Sequence, residues 1–172
     1  MIRFGFALTL LAAVNLTAGD KKPCDLKLHD LSGNKVQLRD YRGKPVVLNF
    51  WATWCGPCRE ELPMLVEAEK TWAAKGVTFI AVSLDDHKTI GAVPGFAAKF
   101  RVGFPVWVGA STGDLDRLRL GQGVPDTVFV DETGVIIARV LGEIRRPELD
   151  QRLEWLTGDR KGLPPPALVN HM

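Results

Sequence analysis

The run Pro45-Val46-Val47-Leu48-Asn49-Phe50-Trp51, followed closely by Trp54-Cys55-Gly56-Pro57-Cys58, constrains this chain more than any other feature. An apolar stretch with a single polar member suits a strand buried on both faces. From Cys58 to Lys75 the composition and spacing are helical. A Cys-x-x-Cys pair at such a strand-to-helix junction points to redox chemistry. Cys55 falls just before the first helical turn, where unpaired N–H groups and the helix dipole favour a thiolate. Two intervening residues bring Cys58 back within reach of a disulfide. Gly56 adds little bulk beside the sulfurs, and Pro57 loses nothing by lacking an N–H in a first turn. On this reading Cys55 attacks a partner disulfide and Cys58 resolves the mixed disulfide. A structural disulfide or half a zinc site competes with it. Zinc would need two further ligands, and Cys24, His29, His87 and His171 are scattered.

The chain has 172 residues, suiting one domain of ordinary size with an ample apolar core. A formal net charge of +2 and the lack of any basic run argue against nucleic acid as a partner. There are no repeats. At the N-terminus, Arg3, an apolar segment from Phe4 to Val14 and the small residues Thr17-Ala18-Gly19 read as a cleavable secretory signal over 1–19. The apolar segment falls short of the ~20 residues a spanning helix needs, though an uncleaved anchor or a buried helix are the competing readings. Leu16-Thr17-Ala18-Gly19 resembles a lipoprotein signal until its last position, where glycine stands instead of cysteine. The expected compartment is a bacterial periplasm. Residues 20–25 read as a linker, 26–157 as the folded domain, and 158–172, with Pro164-Pro165-Pro166, as a flexible tail.

Residues 49–63, Asn-Phe-Trp-Ala-Thr-Trp-Cys-Gly-Pro-Cys-Arg-Glu-Glu-Leu-Pro, resemble the active-site segment of the TlpA/ResA-like (CcmG/DsbE-like) branch of the thioredoxin family. Residues 30–45 are similar to that family's lead-in hairpin, and residues 123–131, Gly-Val-Pro-Asp-Thr-Val-Phe-Val-Asp, to its loop before the second half of the sheet. The resemblance spans roughly residues 26–157. It implies an α/β thioredoxin-like sandwich: a central mixed sheet flanked by helices, with an N-terminal hairpin and a central insertion. The pattern of the chain fits. Lys27–His29 and Val36–Leu38 read as a hairpin, Val46–Trp51 and Val77–Leu84 as buried strands, and Cys58–Ala74 as the helix between them, bent at Pro63. Thr89–Phe100 looks helical but broken around Pro94-Gly95. Asp114–Leu120 suits a short helix, Thr127–Val130 and Val135–Leu141 an antiparallel pair, and Pro147–Leu156 a closing helix.

The resemblance also assigns roles. It implies a cis peptide before Pro125, whose ring would cover the sulfurs while the backbone of Val124 pairs with an extended substrate segment. An ordinary loop proline is the alternative. Asp126, where a small hydroxylated residue is commoner, would put a charge near the substrate groove. Glu61, three residues after Cys58, shares its helical face; a desolvated carboxylate there could serve the resolving thiol as a base. It reads equally well as one more solvated charge in Arg59-Glu60-Glu61. Asn49 stands where plain thioredoxins carry a buried aspartate, and it cannot exchange protons near neutral pH. Trp51 suits the core; Trp54 suits either the core or an apolar landing surface beside Cys55. Cys24 is left over, an inert thiol or an intermolecular link.

The expected activity is a periplasmic thiol-disulfide oxidoreductase, working as a monomer on protein disulfides and kept reduced by a membrane electron donor. The resemblance favours a reductant serving apocytochrome c or another specific client. Thioredoxin, with the same Gly-Pro dipeptide, sits at about −270 mV. No cofactor is expected, since the electrons reside in the Cys55–Cys58 pair, and no metal. Two rivals remain. One is an oxidase or isomerase of the same fold. The other is a copper-handling module, for which the Cys spacing is too tight and His87 lacks an evident partner. A peroxidase is disfavoured by Ala52, three residues before Cys55, where a hydroxyl would be expected.

Overall fold

The computed structural model describes residues 22–172; the expected leader, 1–19, and the first part of the expected linker lie outside them. Strands β1 (Lys27–Asp30) and β2 (Lys35–Gln37) form the expected hairpin. Its turn is closed by Asp30, whose Oδ1 accepts the amides of Ser32 and Asn34 at 2.8 and 2.9 Å, with Gly33 supplying a φ of +82°. Strand β3 (Val46–Trp51) is buried at all six positions. It runs into helix α1 (Gly56–Ala73), and β4 (Thr78–Ser83) returns parallel to it. Then come α2 (Val93–Lys99), β5 (Val106–Val108), α3 (Thr112–Arg117), β6 (Asp126–Val130), β7 (Ile136–Leu141), α4 (Arg146–Thr157) and β8 (Leu168–Asn170).

The strands form one mixed sheet in the order β2-β1-β5-β4-β3-β6-β7-β8. Alternation along β3 divides the core. Val47 and Trp51 join Leu65, Trp72, Ala97 and Leu153 on the face covered by α1, α2 and α4. Val46, Leu48 and Phe50 join Leu28, Trp107, Leu115 and Leu118 on the other. The thioredoxin-like α/β sandwich is therefore as expected, and its register matters for function. Antiparallel pairing sets Phe50, near the end of β3, opposite Asp126, the start of β6. The Cys-x-x-Cys segment and the 121–125 loop thus leave the sheet at the same end.

Three expectations need correction. Pro94 opens α2 instead of breaking a helix, because a first-turn N–H has no intrahelical acceptor and its absence costs no bond; a separate 3-10 turn, Ile90–Ala92, precedes it. Helix α1 starts two residues earlier than expected and continues through Pro63. The C-terminal segment is docked, contrary to the flexible tail expected over 158–172. Residues 168–170 add β8 in parallel to the edge of β7. Buried Arg152 donates from Nη2 to the Pro166 carbonyl at 3.0 Å, and the Arg139 amide donates to Ala167 at 2.9 Å. An open edge strand is a standing template for pairing, and the chain's own end covers this one.

Candidate active site

Cys55 and Cys58 are joined as a disulfide, with Cα atoms 5.4 Å apart. Cys55 is the N-cap of α1, and its Sγ accepts the Cys58 amide at 3.2 Å. The sulfur thus occupies the place where a helix end directs its unpaired N–H groups, the environment that favours a thiolate after reduction. Both cysteines are buried. Gly56 and Pro57 between them are exposed. Trp54, just before the pair, is 58% exposed, while Trp51 is buried and stacks on Phe96 with ring centroids 4.8 Å apart.

The 121–125 loop faces this pair. The Val124–Pro125 peptide is cis, Pro125 is buried and Val124 half-buried. The Val124 carbonyl oxygen stands 3.4 Å from Cys55 Sγ, within reach of an S–H once the pair is reduced. Asp126 does not put its charge into a groove at the surface, as its position after Pro125 suggested. Its side chain turns into the sheet and is fully buried. There Oδ2 accepts the Gly121 amide at 3.0 Å and Oδ1 the Gly142 amide at 3.1 Å. Burial pushes its carboxyl up to about 6, against the pull of those two amides.

Glu61 is buried, which removes the solvated-charge reading. It projects from α1 on the sheet face opposite Asp126. Its Oε1 accepts from Asn49 Nδ2 at 2.7 Å, and its Oε2 accepts the Ile144 amide at 2.9 Å. Asn49 also donates to Thr127 Oγ1 at 3.2 Å. Burial pushes the Glu61 carboxyl up to about 7; the two hydrogen bonds oppose this, and the charges of Glu143 and Asp126 add to it. A buried acid of that strength, three residues from the resolving cysteine, can hold or release a proton near neutral pH.

One supporting group was missed in the sequence. Asp85, buried beyond the end of β4, accepts the Thr53 amide at 2.9 Å, the Thr53 hydroxyl, and the Ser83 hydroxyl at 2.8 Å. Burial works against its charge, but these bonds hold its carboxyl below the usual range. Thr53 is thereby fixed two residues before Cys55. Its carbonyl accepts Arg59 Nη2 at 2.6 Å, setting that guanidinium 5.9 Å from the Phe96 ring. An Asp two residues beyond the Ser at the end of a buried strand was the available signal. Away from the site, Cys24 is half-buried, with its amide on the Gly134 carbonyl at 2.8 Å. His87 is exposed. No group of three or more His, Cys, Asp or Glu among the described residues could hold a metal ion, and no helix among them is long and apolar enough to cross a membrane.

Comparison with known proteins gives the site a context. A family model described as the AhpC/TSA family matches residues 18–139. The thiol-disulfide oxidoreductase ResA of a Bacillus cereus strain is 34% identical over 128 residues, 74% of this chain and 72% of that protein. The ResA of Geobacillus kaustophilus is 32% identical over 167 residues, 90% of this chain and 94% of that one. Among solved structures, one described as a thiol:disulfide interchange protein DsbE from Chlorobium tepidum superposes with a TM-score of 0.70 at 29% identity, over 80% of this chain and 96% of its own. MTB dsbF, solved in mixed oxidised and reduced forms, gives 0.66 at 28% identity, over 76% and 94%.

Proposed function

The chain belongs to the AhpC/TSA family and to the thiol-disulfide oxidoreductases of the ResA type within it, and from that footing we propose that it reduces disulfides of specific protein clients in the periplasm. The observation that carries the reading is the arrangement of three parts: Cys55 at the helix N-cap, the Val124 carbonyl 3.4 Å from its sulfur, and exposed Trp54 beside it. An extended client segment laid along Val124 would bring its own disulfide over Cys55, with Trp54 as apolar contact. Ala52, fully buried three residues before Cys55, offers no hydroxyl to a peroxide. For the location, the support is the leader-like sequence of residues 1–19.

The exchange balances within the two partners. The Cys55 thiolate attacks one client sulfur, forming the mixed disulfide and displacing the other client sulfur as thiolate. Cys58 then gives up its proton and attacks Cys55 Sγ. The Cys55–client bond breaks, the second client thiolate leaves, and the Cys55–Cys58 disulfide closes. Two electrons pass to the client and no bound cofactor takes part. Glu61, buried three residues from Cys58 with its carboxyl at about 7, serves as acceptor for the Cys58 proton. A thiol-reducing donor in the membrane would restore the dithiol, and the protein would act as a monomer on apocytochrome c or a similar client.

Direction is tested by the reduction potential of the pair, measured in glutathione or dithiothreitol buffers through Trp fluorescence. A value near or below about −250 mV is expected; one near about −120 to −180 mV would make the protein a disulfide donor or isomerase instead. Clients are identified with C58S, which should stall as a mixed disulfide on Cys55 that C55S cannot form.

A further inference from the structure

Asp126 sits where strand chemistry offers no reason for a carboxylate. It lies between Phe50 and Leu141 in register, on the sheet face away from α1, without solvent exposure. A β-branched or hydroxyl side chain would fill such a place without the burial penalty of an ionisable group. A costly polar group that the fold retains often serves the site more than the fold. Its bonds indicate the use. The loop that faces Cys55 runs from Gly121 to Pro125. Asp126 follows it directly, and Oδ2 reaches back to the amide of Gly121, so one residue ties both ends of the loop. Oδ1 takes the Gly142 amide, which also donates to the Pro125 carbonyl at 2.9 Å. Each donor meets an oxygen of its own, an arrangement that a carboxylate offers and a side chain with a single oxygen does not. The C-terminal residues close over the same two glycines. A Cβ on Gly121 would run into Met172, and one on Gly142 would meet the His171 backbone at 3.2 Å.

We propose that Asp126 is a positioning residue for client recognition: its carboxylate holds the Gly121–Pro125 loop so that the Val124 backbone meets the client segment beside Cys55. The proposal rests on the docking role assigned above to Val124 and Pro125. It concerns capture of the client, not the reactivity of the sulfurs.

The test uses the pre-reduced protein in single turnovers against a peptide carrying one disulfide within an extended segment, and against the small reagent dithiodipyridine, which needs no docking. In D126N the near-isosteric amide keeps one acceptor and turns an N–H toward the other donor. Its half-saturating peptide concentration should rise roughly tenfold, in line with one lost buried hydrogen bond. The dithiodipyridine rate should match wild type, and the limiting rate with peptide should change far less than the half-saturating concentration. Wild-type half-saturation in D126N would overturn the proposal, as would equal slowing with peptide and reagent, which would put Asp126 at the sulfurs. If wild-type protein fails to saturate with peptide, the docking reading falls and the proposal with it; saturation in wild type with an unmoved variant sinks the proposal alone. Should D126N not fold, amide hydrogen exchange in wild type decides. Slowed exchange at Gly121 is expected, and exchange at the unprotected rate would refute the clamp.

Discussion

Replacing Glu61 with glutamine should flatten a pH dependence that runs against the habit of most proteins. In the oxidised fold burial raises the Glu61 carboxyl from 4.5 to about 7. A carboxyl raised on folding binds its proton more tightly in the native state, so the native protein carries more protons than the unfolded chain between those two values. Stability therefore falls as pH rises through that window. The shift corresponds to about 3 kcal/mol, fully present as a loss above about pH 8 and absent near pH 4. For a domain of this size that is a fall in Tm of roughly 10 °C from this one group. The variant is sterically mild. Glu61 accepts from Asn49 Nδ2 and from the Ile144 amide, and Asn49 in turn bonds Thr127 Oγ1. The introduced glutamine can keep the Ile144 bond with its carbonyl while the Asn49 amide flips and the Thr127 hydroxyl becomes the donor. The assay is urea unfolding of the oxidised protein from pH 4 to 9, wild type and E61Q side by side. The difference between them should grow by about 3 kcal/mol in favour of E61Q as pH rises. A difference that stays flat, or a wild type that gains on E61Q with pH, would refute the assignment of a raised, buried acid.

Three further outcomes are expected. Asp85→Ala strands the buried Thr53 amide and should cost about 3 kcal/mol, with D85N recovering part of it because one acceptor remains; chemical denaturation measures both. Gly142→Ala forces an L side chain to a φ of +84° against the His171 backbone, a loss of about 2 kcal/mol. In a chain ending after Ala167 the same substitution should cost less, and a double-mutant cycle would show the coupling. Trp54→Ala, at a side chain 58% exposed, should leave stability within about 0.5 kcal/mol yet weaken client capture in the single-turnover assay; unchanged capture would remove Trp54 from the client surface.

The parts of the fold legible in the sequence were those written in one short stretch. β3 reads as a doubly buried strand because all six of its residues are, and α1 follows from the Cys-x-x-Cys junction. β5 escaped notice because Val106–Val108 is three residues long, too short for a periodic pattern. β8 escaped for a different reason. Leu168–Asn170 sits behind three prolines, and only the vacant edge of β7, a tertiary fact, makes it a strand. The site divides the same way. The cysteines, Pro125 and Trp54 stand in motifs. Whether Glu61 and its neighbour Glu60 were buried or solvated turned on one step of helix phase.

Asp126 shows why the step from motif to position can mislead. A charge next to Pro125 suggests the surface, because the loop before it is there. The alternation of β6 decides otherwise: Thr127 faces Asn49 and Glu61, so Asp126 faces the opposite core. The consequence reaches across the sheet. Glu61 holds the amide of Ile144 and Asp126 the amide of Gly142, two residues apart on one connection, from opposite faces. Each carboxyl is raised by burial, and the Asp126 charge raises Glu61 further. Ionising one therefore makes ionising the other harder, and the segment between β7 and α4 is gripped most firmly when both are charged. The acid assigned to the resolving thiol and the acid assigned to the client loop are thus coupled electrostatically and through a shared stretch of backbone. D126N should accordingly lower the Glu61 carboxyl, and the Glu61 side-chain carbon shift in an NMR titration would read that change directly. An unmoved Glu61 titration would show that the two acids act independently.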